Sequence, residues 1–420
     1  MKWNWGGFSL KRRVGHNHTG GIALLVLLIL FSCFFLYSVY ADLSLTLGDE
    51  AALPSFSYQD KTALLLGEKS SEVMATSAAY AALVQEDGAL LWGKNPHSQA
   101  GMASTTKIMT ALLAAEYIQS VGEDAVTVVS ENAAGIEGSS IYLKVGERVR
   151  LIDLLYATLL ASANDGAAAL AEAVSGDLDS FVLLMNQRAE AMGLSKTHFE
   201  NPHGLFHENH YTTAYELAIL SAEAMKNSLF ARVVETKHYT FAGEGVTRSL
   251  SNHNRMLSCY DGAIGVKTGY TKATGRCLVT AAEKDGVRLI AVTLSAPDDW
   301  NDHAAMLDLG FSMLSCEELL KEGEMEMTLP VVNGLSSTVT VTNTALKAVL
   351  RKGHSQLDSV IELPDFVYAS VEAGDVLGRV VYYENGKVVA SADLVATEGV
   401  AAIVYEKSFA ERILSFFGLR

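Results

Sequence analysis

The run Leu151-Ile-Asp-Leu-Leu-Tyr-Ala-Thr-Leu-Leu-Ala161 is apolar on nearly every side of a helix, a pattern no surface helix carries. Such a helix has to be wrapped by other elements, so the chain must build a helical block around it. The run stops at Ser162-Ala163-Asn164-Asp165-Gly166, and an alanine-rich helix starts at once. A short polar loop therefore sits deep among helices, where hydroxyl and amide groups are costly unless they are bonded or at work.

A second polar cluster opens another run of helix formers, Ala103-Ser104-Thr105-Thr106-Lys107-Ile108-Met109-Thr110, continuing to Glu116. Ser104 is expected at or near a helix N-terminus, with Lys107 on the same face one turn later. A hydroxyl is a poor nucleophile until a neighbour takes its proton, and a desolvated, neutral lysine amine can do that. The helix N-terminus adds partial positive charge that favours the forming alkoxide. By itself, the same pair is also what an N-cap followed by a surface lysine looks like.

Strands bracket the helical material. Residues 77–84, a turn at Asp87-Gly88 and residues 89–92 read as a hairpin. Residues 263–271, 276–283 and 287–295 read as three consecutive strands, with Asp285-Gly286 turning between the last two. Helical patterns at 178–193 and 212–226 lie between, 132–150 is mixed and broken by Gly135, Gly138 and Gly146, and a helix at about 300–314 closes the domain. The expectation is an α+β fold, an antiparallel sheet built from both ends of the domain with a helical block between. From about Glu317 short β-rich runs follow, with turns at Asn333-Gly334 and Asn385-Gly386, which predicts a small all-β C-terminal domain.

Residues 22–41 carry no charge, enough to span a bilayer, and Lys2, Lys11, Arg12 and Arg13 precede them with no acid before Asp42. The N-terminus is expected in the cytoplasm and the rest outside, with the segment read as a retained anchor although Val39-Tyr40-Ala41 offers a cleavage site. The organisation read from the sequence is a cytoplasmic tail and signal or anchor segment (1–41), a stalk (42–76), a catalytic domain (77–316), a β-rich domain (317–402) and a tail (403–420). In that tail Phe409, Ile413, Phe416 and Phe417 recur at helical spacing opposite Lys407, Glu411 and Arg412, which suits a membrane interface or packing on the β domain. The 420-residue chain has material for a full core and a second domain, and its 48 acids against 32 bases argue against nucleic acid. Cys33 lies in the apolar run, and Cys259, Cys277 and Cys316 have neither metal-ligand spacing nor an even count.

Three elements converge in order and setting: Ser104-x-x-Lys107 at a helix start, Ser162-x-Asn164 in a loop between helices, and Lys267-Thr268-Gly269 on a strand. Ser130-Glu131-Asn132 also fits the middle pattern and reads as a turn or cap. With Phe199-Glu-Asn-Pro-His-Gly-Leu205, His210-Tyr-Thr-Thr-Ala214 and Gly265-Val-Lys-Thr-Gly-Tyr-Thr271, the chain from about Ser77 onward resembles the penicillin-binding, active-site-serine family. More narrowly it resembles the low-molecular-mass D-alanyl-D-alanine carboxypeptidases of peptidase family S11. Tyr215-Glu216 and Thr274-Gly275 depart from the pairs common in that family.

The resemblance implies a β-lactamase-like catalytic domain with a five-stranded antiparallel sheet, no cofactor and no metal. It implies a bacterial enzyme at the cell membrane with its catalytic domain on the extracytoplasmic side, acting on peptidoglycan stem peptides and trapped by β-lactams. Ser104 would be the nucleophile, Lys107 its base, Ser162 a proton relay and Asn164 the residue orienting Lys107 or the substrate amide. Lys267 and Thr268 would bind the terminal carboxylate, Gly269 would let the strand approach the substrate, and the N–H groups of Ser104 and Tyr270 would form the oxyanion hole. A class A β-lactamase needs a Glu-x-x-Leu-Asn segment, which is missing; a transpeptidase would differ only in acceptor, and an inactive wall-binding protein could share the fold. His203, His207 and His210 are irregularly spaced around a glycine and read as loop residues rather than metal ligands, and Asp298-Asp299 as acids at a helix N-terminus.

Overall fold

The structure is a computed structural model that describes residues 75–243 and 246–404. The expected cytoplasmic tail and anchor, nearly all of the stalk and most of the C-terminal tail lie outside the described residues. Among the described residues no helix is long and apolar enough to cross a membrane.

Five strands form the central sheet: β1 (Tyr80–Gln85), β2 (Leu90–Lys94), β3 (Ala263–Thr271), β4 (Gly275–Lys284) and β5 (Val287–Leu294). They run antiparallel in the order β2-β1-β5-β4-β3, so the first hairpin joins the last three strands through the β1–β5 pair. Asp285 (φ 50°) and Gly286 (φ 77°) make the left-handed two-residue turn expected between β4 and β5. Side chains of both parities along β1 and β5 are buried, because both faces of the sheet are covered. On one face Ala81, Leu83, Leu289 and Ala291 pack with Met306 and Leu307 of the helix Asp299–Met313.

The helical block covers the other face. Its elements are α1 (Lys107–Val121), α2 (Leu151–Leu160), α3 (Asn164–Ser175), α4 (Leu178–Ala191), α5 (Ala214–Lys226) and α6 (Ser228–Glu235); Asp299–Met313 is α7. Every residue of α2 is buried, as its all-round apolar sequence requires, and it packs against α1, α3 and α6. Each fully buried leucine there contributes about 2 kcal/mol. Its one acid, Asp153, is matched by Arg150 at 2.8 Å and by the Tyr239 hydroxyl at 2.7 Å.

Directly after α7 the strand β6 (Leu314–Leu320) begins, ahead of the change in texture at residue 317, and Leu314 still packs in the core under the first sheet. The strands β7 (Glu326–Val332), β8 (Thr338–Asn343), β9 (Leu346–Arg351), β10 (Asp358–Glu362), β11 (Val367–Tyr368), β12 (Val376–Glu384) and β13 (Lys387–Ala396) follow. Six of them form a sheet ordered β10-β12-β13-β8-β7-β11, and the seventh, β9, pairs with β6. The described residues thus form an α+β domain followed by a region of strands. Ser130 is the expected cap of a short helix, its hydroxyl accepting from Ala133 N–H at 2.9 Å.

Candidate active site

Ser104 lies within a 3-10 turn, Ala103–Thr106, that runs straight into α1. The helix start is where the sequence puts it, but Ser104 caps nothing; the hydroxyls that hold the turn are Thr105 Oγ1, donating to Met102 O at 2.5 Å, and Thr106 Oγ1, donating to Ala103 O at 2.7 Å. Ala103 has φ 47°, a left-handed conformation that an alanine keeps only under restraint. Two glycines from distant segments supply the close approach. A Cβ on Gly204 (φ 86°) would overlap the Ala103 carbonyl, and one on Gly269 would stand 3.0 Å from Ser104 N and 3.1 Å from Thr105 N. Gly269 is small, therefore, so that β3 can lie against the serine turn, a reason distinct from the substrate approach that the resemblance implies.

Lys107 is fully buried one turn on. Its Nζ lies 3.0 Å from Ser104 Oγ, 2.7 Å from Asn164 Oδ1 and 2.5 Å from the His203 carbonyl. Burial, then the nearby Lys267 charge, hold its pKa well below the ordinary lysine value, with Asp165 opposing. Asn164 cannot swing away, because its Nδ2 donates to Glu137 O at 2.7 Å.

Ser162 sits in the connection between α2 and α3 with φ 60°, its side chain at the cleft wall. The next acid, Asp165, is fully buried and clamps the adjoining segment 140–143: it accepts from Ser140 Oγ at 2.6 Å, Leu143 N at 3.0 Å and Ile141 N at 3.2 Å. Arg248 grips the same segment from outside, donating to Ile141 O at 2.9 Å and to Glu147 at 2.6 Å. The amide and the carboxylate of the polar loop are thus bonded, which is how they survive in a helical interior, while Ser162 faces the cleft.

On β3, Thr268, Gly269 and Tyr270 line a cleft of about 290 Å³ together with Ser104, Ser139, Ser162, His253 and Trp300. Lys267 is 1% exposed and its Nζ donates to Thr268 O at 2.9 Å. Burial pulls its pKa down to about 7, so near neutrality its charge is poised to change. Arg276 and Asp299 also line the cleft, paired at 2.7 Å, with Arg276 stacked over Trp300. The acid expected only as a helix-start residue is therefore a cleft ion pair as well.

Ser104, Ser162, Thr268, Gly269 and Tyr270 line one cleft, and Lys107 and Asn164 are bonded behind Ser104 although 57 residues separate them; Lys267 lies buried on the same strand, close enough for its charge to act on Lys107, but does not itself line the cleft. Sequence reasoning missed Asp165, Gly204, the His203 carbonyl and Arg276. Only Asp165 left a local signal, as an acid inside the polar loop; the others act through backbone or through long-range contact. His203 and His210 are buried and neutral, their pKa values pushed down to about 3 and about 4 by burial, and both lie beside the serine turn. Cys259, Cys277 and Cys316 are free thiols.

Comparison with known proteins agrees with this geometry. Residues 67–298 match the family model for D-alanyl-D-alanine carboxypeptidase, and residues 315–402 match that for the penicillin-binding protein 5 C-terminal domain. The chain is 34% identical over 343 residues to the D-alanyl-D-alanine carboxypeptidase DacF of Bacillus subtilis, covering 79% of this chain and 88% of that one. The crystal structure of penicillin-binding protein 5 from Haemophilus influenzae superposes with a TM-score of 0.62 at 27% identity, covering 78% of this chain and 98% of that one. A serine-to-alanine variant of the Streptomyces K15 DD-transpeptidase gives a TM-score of 0.55 at 31% identity, covering 57% of this chain and all of that one (100%). With more than half its length matched by the catalytic model, the chain belongs to the peptidase S11 family of D-alanyl-D-alanine carboxypeptidases.

Proposed function

We propose that the chain removes the terminal D-alanine from peptidoglycan stem pentapeptides through an acyl-enzyme on Ser104. The observation that carries this is the surroundings of Lys107 Nζ. A neutral amine has two hydrogens and one lone pair, and the buried Nζ has two carbonyl acceptors, Asn164 Oδ1 and His203 O, and one hydroxyl, Ser104 Oγ. With both hydrogens taken by the carbonyls, the lone pair faces the serine O–H. Lys107 in this state accepts the Ser104 proton as Oγ attacks the penultimate D-alanine carbonyl.

The negative charge on the tetrahedral oxygen goes to the N–H groups of Ser104 and Tyr270, each worth roughly 3 kcal/mol. β3 is the edge strand of the sheet, so alternate N–H groups along it point away from β4 and are free for substrate. Ser162 relays the proton to the departing amine, the C–N bond breaks and D-alanine leaves. Water then adds to the acyl ester by the reverse proton route and frees Ser104. Thr268 and Lys267 bind the terminal carboxylate; an anion arriving there favours the charged form of Lys267, so binding itself restores the cation. A β-lactam acylates the same serine but its leaving group stays tethered, which supports inhibition by these compounds.

The uncharged run at 22–41 and the basic residues before it support a catalytic domain held outside the cell membrane, with the amphipathic tail at 403–420 as a second contact. D-alanine release from a synthetic pentapeptide, with and without penicillin, tests the activity. Release that penicillin abolishes supports it; no release and no covalent labelling by a fluorescent penicillin would favour an inactive wall-binding protein. The Streptomyces neighbour is described as a transpeptidase, and adding an amine acceptor to the same assay separates transfer from hydrolysis.

A further inference from the structure

His210 is buried 104 residues away from the serine turn in sequence, yet its Nε2 stands 2.6 Å from Thr106 Oγ1. Its other nitrogen, Nδ1, accepts the Glu200 backbone N–H at 3.0 Å. An N–H group only donates, so Nδ1 carries no hydrogen and the proton of the neutral ring is on Nε2. Nε2–H therefore donates to Thr106 Oγ1, which leaves the threonine hydrogen a single direction, toward the Ala103 carbonyl at 2.7 Å. Phe199 meets the ring edge-on at a centroid distance of 5.9 Å and fixes its plane.

The Ala103 carbonyl and the Ser104 N–H belong to one planar peptide, so a bond that holds the oxygen also aims the hydrogen on the opposite side. Ala103 sits in the left-handed region at φ 47°, which it would leave if released. We infer that His210, acting through Thr106, is a positioning residue that orients the Ala103–Ser104 peptide and thereby points the Ser104 N–H into the oxyanion hole. It touches neither substrate nor the reacting atoms. The inference rests on Ser104 being the nucleophile, which Ser104→Ala tests separately.

The role predicts a specific pattern. His210→Asn keeps an acceptor for Glu200 N–H but loses the donor to Thr106; His210→Gln keeps a donor at the place of Nε2. Thr106→Val removes the hydroxyl at nearly constant volume. Steady-state kinetics on the pentapeptide should show kcat roughly ten- to a hundredfold lower in His210→Asn and in Thr106→Val, with KM within about threefold, because a misaimed oxyanion donor weakens the transition state and not the ground state. The double variant should lose no more than the worse single one, since both cut the same chain. His210→Gln should recover to within about threefold of the parent, and the rate of acylation by penicillin should follow kcat throughout. A folded His210→Asn enzyme with parental kcat, losses that multiply in the double variant, or a loss carried by KM would overturn the assignment and leave His210 a core histidine. Should His210→Asn fail to fold, Thr106→Val decides alone: a fall in kcat at constant KM supports the relay, and parental kcat rejects it.

Discussion

The α+β domain and the β region that follows it bury opposite kinds of side chain. Beneath the cleft lie two lysines, Lys107 and Lys267, with Asp165, Asn164, His203 and His210 close by. Beyond Leu314, among the described residues, Asn343 is the one polar side chain buried to the same degree. Burying charge costs stability unless each group is paired or shifts its protonation. The first domain carries that cost at two fully buried amines, both held below the ordinary lysine value; the second, with an apolar interior of Val331, Val339, Val380 and Leu394, buries no lysine among the described residues. Chemistry and support are separated along the chain, and the contrast can be tested at matched positions.

The largest effect expected is from Ser104→Ala, which should lower D-alanine release by about 10⁴-fold or more and abolish labelling by fluorescent penicillin. Labelling that survives would move the nucleophile elsewhere. Next come two buried asparagines with the same chemistry and different neighbours. Asn164 bridges Lys107 and Glu137 O, while Asn343 accepts from Met325 N at 2.7 Å and donates to Lys321 O at 2.6 Å. Asn164→Ala should cut kcat roughly a hundredfold by freeing the base. Asn343→Ala should leave kcat within about twofold and appear instead as roughly 3 kcal/mol of lost stability in a denaturant melt, because Met325 N, Lys321 O and Thr344 O all lose their partner. Equal losses of kcat in both would erase the division of labour.

A smaller effect is expected from pH. Lys267, at about 7, is charged below that pH and loses its charge as pH rises through it, so kcat/KM for a peptide with a free carboxylate should decline above pH 7. The amidated peptide should show no such limb. In Lys267→Gln the limb should vanish, and the acid limb, set by Lys107, should move to higher pH because a neighbouring cation has been removed. An acid limb that moves down, or stays, would break the coupling between the two amines.

Much of this was legible in the sequence because it is local. The all-apolar period of 151–161 dictated a buried helix, Asp285-Gly286 its hairpin, and Ser104-x-x-Lys107 one face of one turn. The three motifs could be assembled only by resemblance, since nothing local says that β3 lies against the serine turn. What escaped is contact between distant segments: Gly204 against Ala103, His203 O on Lys107, His210 on Thr106. A glycine chosen for room and a carbonyl chosen for its direction leave no pattern in composition or period. The 3-10 turn escaped for a related reason, because the local hydroxyls that hold it are backed by Gly204, His210 and Gly269, all a hundred or more positions away.

The most direct measurement is the titration of the Lys107 ε-carbon by carbon NMR in enzyme with labelled lysine, assigned by comparison with Lys107→Met. The structure predicts half-protonation well below pH 10.5, shifting upward in Lys267→Gln. A Lys107 that stays cationic to the ordinary lysine range, while Ser104 still acylates at neutral pH, would contradict the central claim that a buried neutral amine takes the serine proton.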